Sequence, residues 1–144
     1  MFSSIPLNSS TQIQYTMIFR ASTNNLSGGI YGIPNALHVL NLKRNKLRGE
    51  LPHNINESCT LQILQLGDNG IKGQLPRSLV ACKNFEVLDI GNNQISDHFP
   101  CWMSTLASLQ ILVLKSNRFL GKMENYTTKD MKSYEFLSLY VFLI

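Results

Sequence analysis

Apolar residues recur along this chain at a fixed offset of 24 places, the distance from Leu37 to Leu61 to Phe85 to Leu109. Each of these residues opens a segment whose first, fourth and sixth places are apolar and whose ninth is Asn. The inner places hold Leu40 and Leu42, Leu64 and Leu66, Leu88 and Ile90, Leu112 and Leu114, and the ninth places hold Asn45, Asn69, Asn93 and Asn117. Alternation with period two predicts one short strand per segment, near 39–43, 63–67, 87–91 and 111–115, with the fourth and sixth side chains on one face and the third, fifth and seventh on the other. The eleventh place is apolar again (Leu47, Ile71, Ile95, Phe119), and Leu51-Pro52, Leu75-Pro76 and Phe99-Pro100 follow four places later. Proline cannot donate to a strand ladder, so it ends that second strand-like piece.

One such segment cannot bury its apolar edge alone. Stacked in register, the segments form a parallel ladder with strands about 4.8 Å apart and make the Leu and Ile columns a continuous core. The fold expected is an α/β-type repeat solenoid with a parallel β-sheet on its concave face. The ninth-place Asn suits a chain that turns inward there, because its amide satisfies buried N–H and C=O groups. A weaker copy, Thr16, Phe19, Ala21, Asn24, Leu26, Gly28 and Ile30, reaches Leu37 in 21 residues, the difference between 16 and 37. The repeats therefore read as 16–36, 37–60, 61–84, 85–108 and a partial 109–121. Before them, 1–15 is a partial preceding repeat or irregular segment. After them, 122–144 is a degenerate tail in which Tyr134, Leu137 and Leu139 restore the apolar spacing of a closing strand.

The form L-x-x-L-x-L-x-x-N-x-L-x-G-x-L-P, seen from Leu61 to Pro76, resembles the plant extracellular class of leucine-rich repeat. The order SCTLQILQLGDNGIKGQLPRSL, VLDIGNNQISDHFPCWM, LQILVLKSNRFLG further resembles the ectodomain of plant receptor-like proteins, over 85 of 144 residues from Leu37 to Gly121. That resemblance implies a leucine-rich-repeat horseshoe at the extracellular side of the plasma membrane. It implies binding of an extracellular peptide or protein ligand, in defence or development, with signalling through a partner co-receptor kinase. Proteins of that family carry a signal peptide, an N-terminal cap, more repeats and a membrane helix. None of the four is legible in this sequence, so a fragment of a longer receptor is the expectation. The alternative class is a soluble leucine-rich-repeat inhibitor or scaffold without a signalling role.

Composition narrows these classes only a little. With 44% apolar and 15% charged residues the chain is not a charged disordered segment, and no apolar run approaches the roughly 20 residues of a bilayer span. No direct membrane contact is expected of it. The net charge of +4 names no partner. Lys43, Arg44, Lys46 and Arg48 form a basic run, but Asn45 and Leu47 alternate inward between them and no aromatic residues interleave for base stacking, so no nucleic-acid partner is expected. His38, His53 and His98 fall in different repeats, and no hydrolase or metalloprotease motif and no phosphate-binding loop is present. His98 and Cys101 lack a second ligand pair. The expectation is no enzyme, no metal and no cofactor. Cys59 and Cys82, at places 23 and 22 of successive repeats, read as buried thiols filling an apolar column in preference to a rung-to-rung disulfide.

Binding chemistry is expected on the concave face, the alternative being a solvated face with no ligand at these repeats, since solenoids often use only some repeats for binding. The third places of that face are β-branched: Ile18, Val39, Ile63, Val87 and Ile111. The fifth and seventh places supply the candidate ligand-binding residues Arg20, Asn41, Lys43, Gln65, Gly67, Asp89, Gly91 and Lys115. Polar groups beside two glycines give an extended peptide room to approach the backbone, with Lys43 and Lys115 placed for carboxylates. Four glycosylation sequons begin at Asn8, Asn25, Asn56 and Asn125, and the structural Asn ladder runs Asn24, Asn45, Asn69, Asn93, Asn117.

Overall fold

The structure, a computed structural model, describes residues 17–120 and 140–142. Each turn of the chain contributes two strands. The first set is β1 (Met17–Arg20), β3 (Leu37–Asn41), β5 (Ile63–Gln65), β7 (Val87–Asp89) and β9 (Ile111–Val113). The second is β2 (Ser27–Gly28), β4 (Lys46–Glu50), β6 (Gly70–Gly73), β8 (Gln94–His98) and β10 (Arg118–Leu120). A last strand, β11 (Tyr140–Phe142), lies beside β9. Every pairing is parallel, in a six-stranded sheet ordered β1-β3-β5-β7-β9-β11 and a five-stranded sheet ordered β10-β8-β6-β4-β2. This is the leucine-rich-repeat solenoid.

In the larger sheet equivalent places face one another: Val39 pairs Ile63, Ile63 pairs Val87 and Val87 pairs Ile111. The core is the stack of repeat columns. Leu37, Leu61, Phe85 and Leu109 at place one are fully buried, as are Leu40, Leu88 and Leu112 at place four and Leu42, Leu66 and Ile90 at place six. Leu47, Ile71 and Ile95 bring the second sheet onto the same core from the other side. Opposite the larger sheet the chain closes through 3-10 turns at Arg77–Ala81 and Cys101–Thr105, which bury Leu79 and Met103.

Three details differ from the sequence reading. The concave strands end at place five, two residues early, because the eighth-place residues Thr23, Arg44, Asp68, Asn92 and Ser116 turn through the left-handed region at φ 54–58°. The pieces around the eleventh place form a complete second sheet, staggered so that place twelve of one turn pairs place ten of the next, as Lys72 does with Gln94. The left-handed Gly73, at φ +82°, sits at place thirteen in this sheet, where a Cβ would come within 2.7 Å of the Glu50 side chain. The third difference corrects the cysteine reading: Cys59 and Cys82 form a disulfide. Their Cα atoms are 4.7 Å apart, within disulfide reach, because stacked turns lie one strand spacing apart. The mismatch of places 23 and 22 is absorbed locally, since the same three-residue turn delivers each cysteine: Cys59 N–H donates to Asn56 C=O and Cys82 N–H to Leu79 C=O. Tyr134, Leu137 and Leu139 lie outside the described residues, and β11 sets Tyr140 opposite Ile111.

Candidate functional site

The frame of the concave face is the amide ladder. Asn93 Nδ2 donates to the carbonyls of Ile90 and Gly91 in its own turn and of Leu66 in the turn before, at 3.0, 3.3 and 3.0 Å, while Oδ1 accepts the N–H of Ile71 at 3.0 Å. Asn45, Asn69 and Asn117 repeat the pattern. Each amide thus ties two turns together at the point where the backbone leaves the sheet, and this holds places five to eight of neighbouring turns side by side.

On that frame the third-place column is partly covered, from a buried Val39 to an Ile18 left 54% exposed. Between the fifth and seventh places a recess of about 350 Å³ opens, lined among others by Lys43, Gly67, Asp89, Gly91, Val113 and Lys115. Of the sequence-derived candidates, Lys43, Gly67, Asp89, Gly91 and Lys115 are brought together here. Arg20, Asn41 and Gln65 lie on the same sheet away from the recess lining. Asn25 and Asn56 are exposed, while Asn8 and Asn125 lie outside the described residues.

The polar groups of the recess are not all free for a ligand. Lys43 Nζ reaches across the intervening turn to donate to Asp89 Oδ2 at 2.7 Å. Asp89 Oδ1 accepts the N–H of Gly91 at 3.1 Å. Asp89, one of the residues that the sequence offers with Asn41 and Gln65 for ligand hydrogen bonds, is thus buried, and Lys43, one of the two lysines placed for acidic groups, is its counter-ion. Gly67 is what lets the pair form. A Cβ there would lie 3.1 Å from both Asp89 Oδ1 and Lys43 Cε, so the space that the glycine leaves holds the ion pair. Asn41 is also engaged, accepting the N–H of Lys43 at 3.2 Å.

Sequence reasoning missed a second network at the eighth place. Asn92 Nδ2 donates to Asp68 Oδ1 at 2.7 Å, and Arg44 Nε lies 3.7 Å from Asp68 Oδ2. The left-handed turn raises these side chains onto the rim. The signal available in the sequence was the run of Arg, Asp and Asn at that place, types that pair with one another across turns. Lys115 closes the recess on the far side, exposed and without an ion pair among the described residues. Among the described residues the recess therefore presents one unpaired cation, a polar rim, and a floor of glycine backbone beside Val113. That combination can hold an extended chain carrying a carboxylate.

The leucine-rich-repeat family profile matches residues 59–119, and a second profile of the same description matches 36–57. No curated protein sequence matches the chain. Among solved structures, the leucine-rich-repeat ectodomain of the receptor kinase SOBIR1 from Arabidopsis thaliana superposes with TM-score 0.70 at 26% identity, over 86% of this chain and 67% of that one. The Arabidopsis thaliana BIR2 ectodomain does so with TM-score 0.63 at 27% identity, over 71% of this chain and 55% of that one. The Arabidopsis receptor kinase HAESA, solved in complex with the peptide hormone IDA and the co-receptor SERK1, gives 0.60 at 28% identity over 67% of this chain. This chain spans 17% of that HAESA chain.

Proposed function

We propose, for a chain of leucine-rich repeats folded as plant receptor ectodomains are, that its concave face is a ligand-recognition segment of a cell-surface receptor. The ligand is an extended extracellular peptide or protein loop, and a co-receptor kinase is the partner through which binding is signalled. The receptor-like-protein resemblance of Leu37 to Gly121 supports a role in defence or developmental signalling without an enzymatic role of its own. The observation that carries this reading is the recess: Lys115, unpaired among the described residues, at the edge of a floor made by Gly67 and Gly91, with the counter-charges Lys43 and Asp89 already neutralising each other. A ligand carboxylate then has one strong partner in Lys115, which stands exposed at the rim of the recess. HAESA, whose structure holds a peptide hormone and a co-receptor, supports the same use of the fold.

The Cys59–Cys82 bridge supports the extracellular placement, since disulfides persist in oxidising compartments and are rare in the cytosol. The sequons at Asn25 and Asn56 lie on exposed residues and suit the same compartment.

The test is selection of a random linear peptide library on the chain, followed by affinity measurements on the enriched peptide. Lys115→Glu is expected to weaken binding at least about tenfold by placing like charge opposite a carboxylate. Lys83→Glu, exposed and remote from the recess, is expected to leave it within about twofold. Equal affinities for the two variants would place recognition elsewhere. Tryptophan at Gly67 is a poor probe, because it would break the ion pair that the glycine accommodates.

A further inference from the structure

The second sheet carries a groove that the concave-face reading does not use. It opens to about 780 Å³ over strands β2, β4 and β6. Its floor is glycine backbone. Arg48 stands between Gly29, whose Cβ position is 3.4 Å from the Arg48 carbonyl, and Gly70, its register partner on β6. The ring of Tyr31, 70% exposed, packs against Gly29, with Cε1 and Cζ 3.5 Å from where a Cβ would be. Lys46, Arg48 and Lys72 are exposed along the same groove, and none makes an ion pair among the described residues. Among the described residues the single carboxylate facing them is Glu50, opposite Lys72 in register, which leaves two cations in excess.

Three features decide what such a groove fits. Strands β4 and β6 are each paired on both sides, so the middle of the groove offers no backbone edge on which a peptide could add as a strand, and β2, the end strand of the described sheet, is only two residues long. The apolar residues of the lining, Leu47 and Ile30, are 1% and 6% exposed and turned into the core, so no pocket receives an apolar anchor side chain. What is offered instead is an exposed aromatic face beside a flat floor, with a guanidinium and ammonium groups spaced along it. An aromatic face stacks on the C–H face of a sugar ring, and a guanidinium grips a carboxylate in two hydrogen bonds. We propose that this groove binds a linear acidic glycan, a chain of uronic-acid residues, with Tyr31 as the stacking platform and Lys46, Arg48 and Lys72 as carboxylate partners. The inference stands apart from peptide recognition on the concave face, because it uses the other sheet.

The experiment is calorimetric titration of the 144-residue chain with de-esterified polygalacturonate oligomers, their fully methyl-esterified form, and poly-glutamate of matched charge. Binding of the de-esterified oligomer is expected, with at least about tenfold weaker binding of poly-glutamate and of the methyl ester. Arg48→Ala with Lys72→Ala should lose about tenfold or more, Tyr31→Ala about fivefold, and Tyr31→Phe should restore the wild-type value. Lys83→Ala, which removes a cation elsewhere, should change it by less than about twofold. Circular dichroism checks the fold of each variant. A readout on the wild-type chain is carbodiimide coupling of uronate carboxyls to lysine, which should modify Lys46 and Lys72 ahead of Lys83. Equal binding of poly-glutamate, no loss in Tyr31→Ala, or coupling spread evenly over the lysines would overturn the proposal.

Discussion

Asn93 shows how much of this fold rests on single side chains. Its amide serves three carbonyls and one N–H, all in a buried setting where an unmet backbone group costs about 1–3 kcal/mol. Asn93→Ala is expected to lower stability by about 3 kcal/mol in urea denaturation, and Asn93→Asp by a comparable amount, because a carboxylate cannot donate to the three carbonyls. The exposed neighbour Gln94→Ala should stay within about 0.5 kcal/mol. This role was legible, since an amide recurring where a solenoid turns inward has few other uses. The pairing of Lys43 with Asp89 was not, because the two lie 46 residues apart and meet only across the space that Gly67 leaves. Their environments predict an asymmetry. Lys43→Ala strands a carboxylate with 12% side-chain exposure, whereas Asp89→Asn keeps the bond from Gly91 N–H and leaves a lysine with 31% side-chain exposure that can reach water. Thermal and urea unfolding should show the first costing about 2 kcal/mol and the second about 1 or less, since the lysine end of the pair is partly screened by solvent.

At the scale of the element, the period-two apolar places read correctly as strands and faced correctly inward, because register errors would put every apolar residue into water. Leu64→Ala or Leu88→Ala is accordingly expected to cost about 2–5 kcal/mol, and Gln65→Ala within about 0.5. The second sheet was harder to see. Lys46 to Glu50 reads K-L-R-G-E, with one buried residue, and its pairing depends on the two-place stagger between turns rather than on its own pattern. The disulfide escaped for a similar reason: counting places put the cysteines out of register, while the closing turns put them opposite. Reducing the bridge, or replacing both cysteines by alanine, should lower stability by about 2–4 kcal/mol for the 23-residue separation it closes. A denaturation midpoint unchanged by reductant would contradict that assignment.

For the whole molecule, stability is a sum over turns and the interfaces between them. The two sheets give it two independent surfaces: a concave recess with, among the described residues, one unpaired cation, and a glycine-floored groove with several. The first is assigned to an extended peptide and the second to an acidic glycan, so the central claim is spatial. Hydrogen–deuterium exchange of the chain, with and without a library-selected peptide, tests it most directly. The account predicts slowed exchange at amides of 87–92 and 111–117, around the recess, with 46–50 on the second sheet unchanged. Protection confined to 46–50 and 70–73, with the concave strands unaffected, would contradict it.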